Sequence, residues 1–123
     1  MIDPGLRIGV VGATGAVGRV TLQLLLDRGY TNIRAFASWR SAGERLGDFE
    51  IEEATAVGLG LGDLDICFFS IGTQWSRELV PPAAAAGTVC VDKSAAFRLQ
   101  EGIPLVVPEV NGERALEHTG IVA

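Results

Sequence analysis

The sequence predicts an α/β fold of the Rossmann type, in which a doubly wound, mostly parallel sheet carries helices on both faces. A predicted strand over residues 7–11, apolar at 8–11, leads into a glycine turn and then into a helix-like pattern. Near-continuous apolar runs recur at residues 64–70 and 88–91, as expected for strands buried on both faces of a parallel sheet. Strand, glycine turn and helix in this order open a dinucleotide-binding unit.

The first half of the chain follows the pattern of such a unit. A helix is predicted over residues 16–28, with Gly29 placed to end it. Residues 32–38 form the second predicted strand, and residues 44–54 contain an alternating stretch typical of an exposed strand. The helix is predicted to be amphipathic because four apolar residues follow helical spacing: Val17, Val20, Leu24 and Leu25.

The second half alternates strands and helices in the same way. Residues 58–62 are rich in glycine and are predicted to form a loop. Ser76 is predicted to cap a helix that runs through residue 86, with Pro81 and Pro82 splitting it into two short helices. The remaining predicted elements are a short strand over 105–107, a short helix over 111–117 and a strand beginning at 121.

Three glycines spaced by two residues form the first candidate site. Gly12 lets the chain turn sharply off the strand, Gly15 lets a phosphate approach the backbone, and Gly18 lets the helix lie close to the sheet. The helix N-terminus offers N–H groups and a partial positive charge to a pyrophosphate, and Thr14 adds a hydroxyl. The alternative is a tight strand–helix turn that binds nothing.

The end of the second predicted strand indicates which dinucleotide would bind. An NAD site usually places an acidic residue there to hold the ribose 2′-hydroxyl, whereas this chain has Ser38, Arg40 and Ser41. A guanidinium and two hydroxyls would hold a 2′-phosphate, so we expect NADP rather than NAD. The alternatives are a solvated arginine in a polar loop and, for Trp39, packing on the adenine or on the domain edge.

Composition and charge restrict the number of domains and the kinds of site that the chain can contain. A chain of 123 residues predicts one domain, and its net charge of −5 argues against a nucleic-acid surface. No apolar run reaches membrane-spanning length. Cys67 and Cys90 lie inside apolar runs, which favours buried thiols in a reducing cytoplasm, with a disulfide as the lesser alternative. His118 is the only histidine, so no metal site is expected.

Several segments together resemble aspartate-semialdehyde dehydrogenases, in their N-terminal cofactor-binding domain. The glycine motif is shared with many families, whereas the segments over residues 40–43 and 104–111 are much more specific to this family. The matching stretches cover residues 10–18, 36–38, 40–43, 65–66, 69–70, 91–92 with Ser94, 96–98 and 104–111, in the order found in the family.

The resemblance implies reduction of aspartyl phosphate to aspartate semialdehyde with NADPH, through a cysteine thioester, in lysine, threonine and methionine biosynthesis. It also implies a homodimer or a higher homo-oligomer. Arg98 would hold the substrate phosphate, and Lys93 is a second candidate for binding the substrate. The residues implied to touch the cofactor are Gly12, Thr14, Gly15, Ala16, Val17, Ser38, Arg40, Ser41, Ser70 and Gly72.

The chain also departs from the family pattern. Lys93 and Ala95 stand where the family has asparagine and serine, and Trp39 replaces a small residue. The family nucleophile follows the strand at residues 121–123, so we expect the catalytic and dimerisation domain to lie outside residues 1–123. Neither Cys67 nor Cys90 replaces that nucleophile, because both lie within predicted strands rather than at a helix N-terminus.

Two other functions stay open at this stage. One is a non-catalytic NADP-binding paralogue or sensor module. The other is an acetylglutamyl-phosphate reductase-like domain, against which the segment over residues 104–111 argues. A parallel sheet that ends at its last strand leaves an unpaired edge, so we also expect the isolated chain to dimerise or to be marginally stable.

Overall fold

The computed structural model describes residues 5–106, 108–118 and 120–123. Six strands form one sheet in the order β5-β2-β1-β6-β7-β8, and every pairing in it is parallel. A separate two-stranded antiparallel hairpin joins β3 and β4. The strands are β1 (Ile8–Val11), β2 (Ile33–Ala37), β3 (Arg45–Leu46), β4 (Phe49–Glu50), β5 (Glu52–Glu53), β6 (Ile66–Phe69), β7 (Val89–Asp92) and β8 (Ile121–Val122).

Four α-helices and one 3-10 helix connect the strands. They are α1 (Ala16–Asp27), α2 (Ala56–Leu59), α3 (Thr73–Ala85), α4 (Pro108–Asn111) and the 3-10 helix Gly112–Glu117. The chain moves from β1 through α1 to β2 in one direction, and from β6 through α3 to β7 in the other. Right-handed crossovers in opposite directions place the two helices on opposite faces of the sheet. The predicted doubly wound α/β fold is therefore confirmed.

Two apolar cores lie on the two faces. One contains Ile8 and Val10 of β1 with Leu22 and Leu25 of α1, whereas the other contains Val11 with the buried residues of α3. Successive residues of β1 thus point to opposite helices, as the two-residue period of a strand requires. Because both faces are covered, every residue of β1 is buried.

Helix α1 has the predicted position but presents a different face to the sheet. Its buried residues are Gly18, Thr21, Leu22 and Leu25. Val17, Val20 and Leu24, which the spacing placed on the apolar face, are exposed at 54%, 58% and 46%. The prediction was right for Leu25, which is buried. It was wrong for the other three residues, because it was based on side-chain hydropathy, whereas the position that must lie against the glycine turn is Gly18.

Helix α3 is continuous and begins earlier than predicted. Gly72 is its N-cap, and Ser76 lies inside the helix with a fully buried side chain. Pro81 and Pro82 also lie inside the helix and do not split it. Each proline removes one i→i−4 hydrogen bond. The carbonyls left without these bonds belong to Arg77 and Glu78, which are exposed residues that water can reach.

Three smaller predictions were corrected. The glycine-rich segment at 58–62 is only partly a loop, because α2 covers Gly58 and Leu59 and is capped by the Thr55 hydroxyl. The stretch over 44–54 forms three two-residue strands, interrupted at the buried Ile51. Residues 105–106 are not a strand, and residue 107 lies outside the described residues.

The edge strand β8 has a partial cover. The amide of Val106 donates to the Ala123 carbonyl at 3.0 Å, and the amide of Ala123 donates to the Pro104 carbonyl at 3.0 Å. These two bonds satisfy backbone groups at the end of β8, the strand at the sheet edge that was predicted to be unpaired.

An ion pair joins β1 and β6 at the end of the sheet opposite the glycine turn. The Arg7 guanidinium donates to the Asp65 carboxylate at 2.9 and 3.2 Å, and the Arg7 amide donates to it at 2.8 Å. These bonds lower the Asp65 pKa from 3.8 to about 2. They stabilise the charged carboxylate in the folded state.

The Arg7–Asp65 pair predicts a pH-dependent stability. Because the folded pKa of Asp65 lies below its unfolded value, the stabilisation is complete above about pH 4 and is lost as pH falls through 2. We expect Asp65→Asn to lower the urea midpoint at pH 7, with the difference from the wild type shrinking towards pH 2. Urea unfolding at several pH values, followed by circular dichroism, measures this.

Arg7→Met is the matched control for that series. It removes the partner and leaves the carboxylate, so it should produce the same loss at pH 7 and the same convergence in acid. The double variant should be no less stable than either single variant, since the two residues act as one pair. A midpoint difference that stays constant from pH 7 to pH 2 would contradict the role of this pair.

Candidate functional site

The predicted site residues lie at one edge of the sheet. They follow the carboxyl ends of four neighbouring parallel strands, β2, β1, β6 and β7. The sheet order reverses between β1 and β6, and ligands of open α/β sheets bind in the crevice at such a point. The residues in question are Gly12, Thr14, Gly15, Ala16 and Val17 after β1, Ser38, Arg40 and Ser41 after β2, Ser70 and Gly72 after β6, and Lys93 and Arg98 after β7.

The glycine turn has two positions where only glycine fits. Gly12 has φ of +86°, and a Cβ there would collide with the carbonyl oxygen of Ser70. A Cβ on Gly18 would collide with the carbonyl oxygen of Gly12 and would lie 2.7 Å from its carbonyl carbon. Because Gly12 has no side chain, the turn can lie against the end of β6. Because Gly18 has none, α1 can lie against the turn.

The start of α1 is open to a ligand. Gly15 is the N-cap and contributes no side-chain bond, and the first turn of Ala16–Asp27 contains no acidic residue. The first N–H groups of a helix have no partner within the helix, and the helix dipole makes this end partly positive. A Cβ on Gly15 would meet only the Gly12 oxygen, at 3.5 Å, so folding alone does not require glycine at this position.

A crevice of about 340 Å³ lies between the start of α1 and the ends of β6 and β7. Its lining residues are Val17, Ser70, Ile71, Gly72 and Lys93. The Ser70 hydroxyl is buried here and has no hydrogen-bond partner among the described residues. A buried hydroxyl without a partner costs free energy, so its position indicates a place where a polar ligand group fits.

Asp92 organises the end of β7. Its buried carboxylate accepts hydrogen bonds from the Ser76 hydroxyl at 2.9 Å, the Ser94 hydroxyl at 2.8 Å and the Ser94 amide at 3.1 Å. These bonds join α3, β7 and the following turn, which fixes the backbone of Lys93. Ser76 was predicted only as a helix cap, because its partner lies 16 residues further along the chain.

Thr21 belongs to the site and was not predicted. It is buried on α1, its hydroxyl donates to the Val17 carbonyl at 2.9 Å, and the Lys93 ammonium donates to it at 3.1 Å. The available sequence signal was a polar residue inside an otherwise apolar helix pattern. Threonine also bonds its own helix, so this signal alone does not identify a site residue.

The segment after β2 forms an ordered turn beside the glycine turn. The amides of Gly12 and Ala13 donate to the Phe36 carbonyl at 2.9 and 3.1 Å, which ties the glycine turn to β2. Ser41 donates its amide to the Ser38 carbonyl at 3.0 Å. The Arg40 guanidinium lies 5.5 Å from the Trp39 ring centre, and both side chains are exposed.

A second cleft, of about 630 Å³, lies on the other side of Lys93. It is bordered by Lys93, Arg98 and the ends of β7 and β8. The Arg98 guanidinium donates to the Lys93 carbonyl at 3.1 Å and is otherwise exposed, so its remaining N–H groups face solvent. Arg98 is therefore separated from the crevice that contains Ser70.

The two cysteines are free thiols buried in the centre of the sheet. Cys67 and Cys90 are paired in register on β6 and β7, and neither is exposed. Burial raises the pKa of Cys90 to about 12 and raises that of Cys67 further. Because the thiolate is the reactive form, neither residue is suited to act as a nucleophile, which agrees with the prediction from their place in strands.

The described part of the chain limits other kinds of site. It contains no group of three or more His, Cys, Asp and Glu arranged to hold a metal ion. No helix within it is both long enough and apolar enough to cross a membrane. His118 accepts a hydrogen bond at Nδ1 from the Gly120 amide at 3.0 Å, a contact within its own loop.

The fold and the glycine turn define a Rossmann-type domain of the dinucleotide-binding class. The family model for the semialdehyde dehydrogenase NAD-binding domain matches residues 7–118. The chain belongs to this family, which confirms the resemblance found in its sequence. The family is one of oxidoreductases.

The chain is similar in sequence to several bacterial aspartate-semialdehyde dehydrogenases. It is 41% identical to the Bacillus subtilis protein over 124 residues, which cover 97% of this chain and 36% of that one. It is 45% identical to the Streptomyces akiyoshiensis protein over 109 residues, which cover 86% of this chain and 31% of that one. The chain thus spans about a third of the length of these relatives.

Solved structures give the same result for the fold. An aspartate semialdehyde dehydrogenase II from Vibrio cholerae, complexed with ASA, matches with a TM-score of 0.82 and 35% identity over 95% of this chain and 40% of that one. The Candida albicans enzyme, solved with NADP, matches with a TM-score of 0.74 and 28% identity over 89% of this chain and 35% of that one.

The close contact at Gly18 predicts a large cost for adding one methyl group. We expect Gly18→Ala to lower the free energy of unfolding by about 1–3 kcal/mol, because the Cβ forces α1 away from the glycine turn. Chemical denaturation measures this change. Gly112→Ala is the control, since a Cβ there meets nothing within 4 Å. Equal stability of the two variants would contradict the packing role of Gly18.

The buried thiols predict slow chemical modification. We expect Cys67 and Cys90 to resist iodoacetamide at pH 7 in the folded protein and to react promptly in denaturant, because both are buried and Cys90 has a pKa of about 12. Mass spectrometry after timed labelling measures this. Labelling of the native protein at the rate of a free peptide thiol would contradict it.

Proposed function

We propose that this chain is the cofactor-binding domain of an aspartate-semialdehyde dehydrogenase and that its cofactor is NADP(H). The observation that carries the proposal is the arrangement at the sheet reversal. Three features lie along one edge of the sheet: a helix N-terminus without a side-chain cap, a buried hydroxyl that has no partner among the described residues, and a loop that contains an arginine. Relatives that carry this enzyme name align with nearly the whole chain.

The residues of this edge fit a dinucleotide. In the proposed mode, Gly12, Thr14, Gly15, Ala16 and Val17 lie along the pyrophosphate, where the backbone N–H groups of α1 donate to it. Ser70 and Gly72 border the cofactor on the β6 side. The Ser70 hydroxyl supports this assignment, because a ligand oxygen in the crevice would give it the partner that the described residues do not provide.

The loop after β2 favours NADP(H) over NAD(H). Ser38, Arg40 and Ser41 contain no carboxylate that would hold a ribose 2′-hydroxyl and repel a 2′-phosphate. An exposed guanidinium that already stacks on Trp39 is held near the place where a phosphate would lie. The Candida albicans relative, solved with NADP, supports the same choice.

The proposed reaction interconverts aspartyl phosphate and aspartate semialdehyde in lysine, threonine and methionine biosynthesis. The cofactor supplies hydride when it is bound. In this chain, Arg98 would hold the substrate phosphate with the N–H groups that face the second cleft. The acyl group needs a reactive thiol. Cys67 and Cys90 are buried and have raised pKa values, which supports the proposal that a residue outside 1–123 supplies it.

The proposal also includes a cytoplasmic location and a homo-oligomeric state. Free buried thiols are consistent with a reducing cytoplasm. The exposed apolar residues Val20 and Leu24 of α1 favour a homodimer or higher homo-oligomer in which part of this surface is covered.

Arg40→Ala tests the choice of cofactor. We expect the affinity for NADPH to fall by roughly 10- to 100-fold, since a charge-assisted contact to the 2′-phosphate is lost. The affinity for NADH should change by less than about twofold, because NADH has no 2′-phosphate. Calorimetric titration with both nucleotides measures the two affinities.

Arg28→Ala is the matched control, because Arg28 is an exposed arginine at the opposite end of α1. It should leave both affinities unchanged. No binding of either nucleotide by the wild-type chain would overturn the proposed function. Equal losses for NADPH and NADH in Arg40→Ala would overturn the 2′-phosphate assignment alone.

A further inference from the structure

We infer that Lys93, held by Thr21 across the crevice, binds the pyrophosphate of the dinucleotide. This inference rests on the proposed function and deepens it, since it adds two residues to the cofactor site and gives each a role. Lys93 is the residue that touches the ligand. Thr21 is a positioning residue, which acts through Lys93.

The backbone of Lys93 is fixed from two sides. Its amide donates to the Phe69 carbonyl of β6 at 3.1 Å. The preceding residue, Asp92, is held by the two serines that bond its carboxylate. The lysine side chain therefore starts from a defined point at the end of β7.

The ammonium of Lys93 lies on the α1 side of the crevice. It donates to the Thr21 hydroxyl at 3.1 Å, and that hydroxyl donates its own proton to the Val17 carbonyl at 2.9 Å. The two bonds have one consistent direction, in which threonine accepts from lysine and donates to the helix backbone. One of the three ammonium protons is used in this way, and two stay available for a ligand.

Charge favours an anionic ligand at this position. Lys93 is the only charged residue among the described residues that line the crevice, and the others are Val17, Ser70, Ile71 and Gly72. The chain as a whole carries a net charge of −5, so its long-range field does not attract an anion. The Lys93 ammonium, which bonds Thr21 in the second turn of α1, provides a local attraction that the overall charge does not.

The geometry assigns the ligand phosphate to the cofactor rather than to the substrate. Lys93 borders both clefts, but its ammonium contacts α1, the helix whose N-terminus faces the pyrophosphate in the proposed mode. Its carbonyl accepts from Arg98, which lies in the second cleft. The two cations thus serve different clefts, with Lys93 on the cofactor side and Arg98 on the substrate side.

Lys93→Met tests the contact, because methionine keeps the shape of the lysine stem and removes its charge. We expect the dissociation constants of NADPH and NADH to rise together by about tenfold, as for the loss of one charge-assisted hydrogen bond. The preference for NADPH over NADH should stay unchanged, in contrast to Arg40→Ala. Lys93→Arg should retain most of the affinity, and adenosine 2′-monophosphate, which has no pyrophosphate, should bind Lys93→Met as it binds the wild type.

Thr21→Val tests the positioning role, because valine keeps the branched shape and removes the hydroxyl. We expect both dissociation constants to rise by roughly threefold in the wild-type background and not to rise further in the Lys93→Met background. Thr21→Ser should restore the wild-type affinities. A purely structural role for Thr21 would weaken binding equally with and without the lysine.

The possible outcomes separate the inference from the proposed function. If the wild-type chain binds NADPH and Lys93→Met binds both nucleotides as tightly as the wild type, the inference is wrong and the proposed function stands. A larger loss for NADPH than for NADH in Lys93→Met would also overturn the inference, because it would assign the ammonium to the 2′-phosphate. If the wild-type chain binds neither nucleotide, both are wrong.

Discussion

The contact between α1 and the glycine turn is the constraint on which the rest of the site depends. Gly18 lies against the Gly12 carbonyl, and neither position accepts a Cβ. This contact fixes the rotation of α1, which buries Thr21, Leu22 and Leu25 and leaves Val17 and Val20 exposed. A helix turned to bury its most apolar stripe would remove Gly18 from the turn and Thr21 from its bond with Lys93.

The parallel sheet brings the separate segments of the candidate site together. Parallel strands place their carboxyl ends at one edge, so the polar residues that follow β1, β2, β6 and β7 lie along that edge although they are far apart in the sequence. The opposite end is held by the Arg7–Asp65 pair. The Arg7–Asp65 ion pair and the residues proposed to bind a ligand thus lie at different ends of the sheet.

Lys93 and Arg98 reach different clefts because of the turn that follows β7. Asp92 is bonded by Ser76 and Ser94, which makes the turn after β7 rigid. From this turn Lys93 reaches α1, and Arg98 bonds back to the Lys93 carbonyl from the other cleft. A buried carboxylate is costly to leave unpaired, so these three hydrogen bonds stabilise the turn.

The sequence by itself determined the fold class, the main strands, the glycine turn and the family, because apolar runs and glycine spacing are local patterns. Only the tertiary structure decided which face of α1 is buried, since steric contact at Gly18 outweighed the hydropathy of Val17, Val20 and Leu24. It also decided that α3 continues through Pro81 and Pro82, where the residues four positions earlier, Arg77 and Glu78, are exposed. The bond between Thr21 and Lys93 joins residues 72 positions apart, and no local pattern determines a contact at that separation.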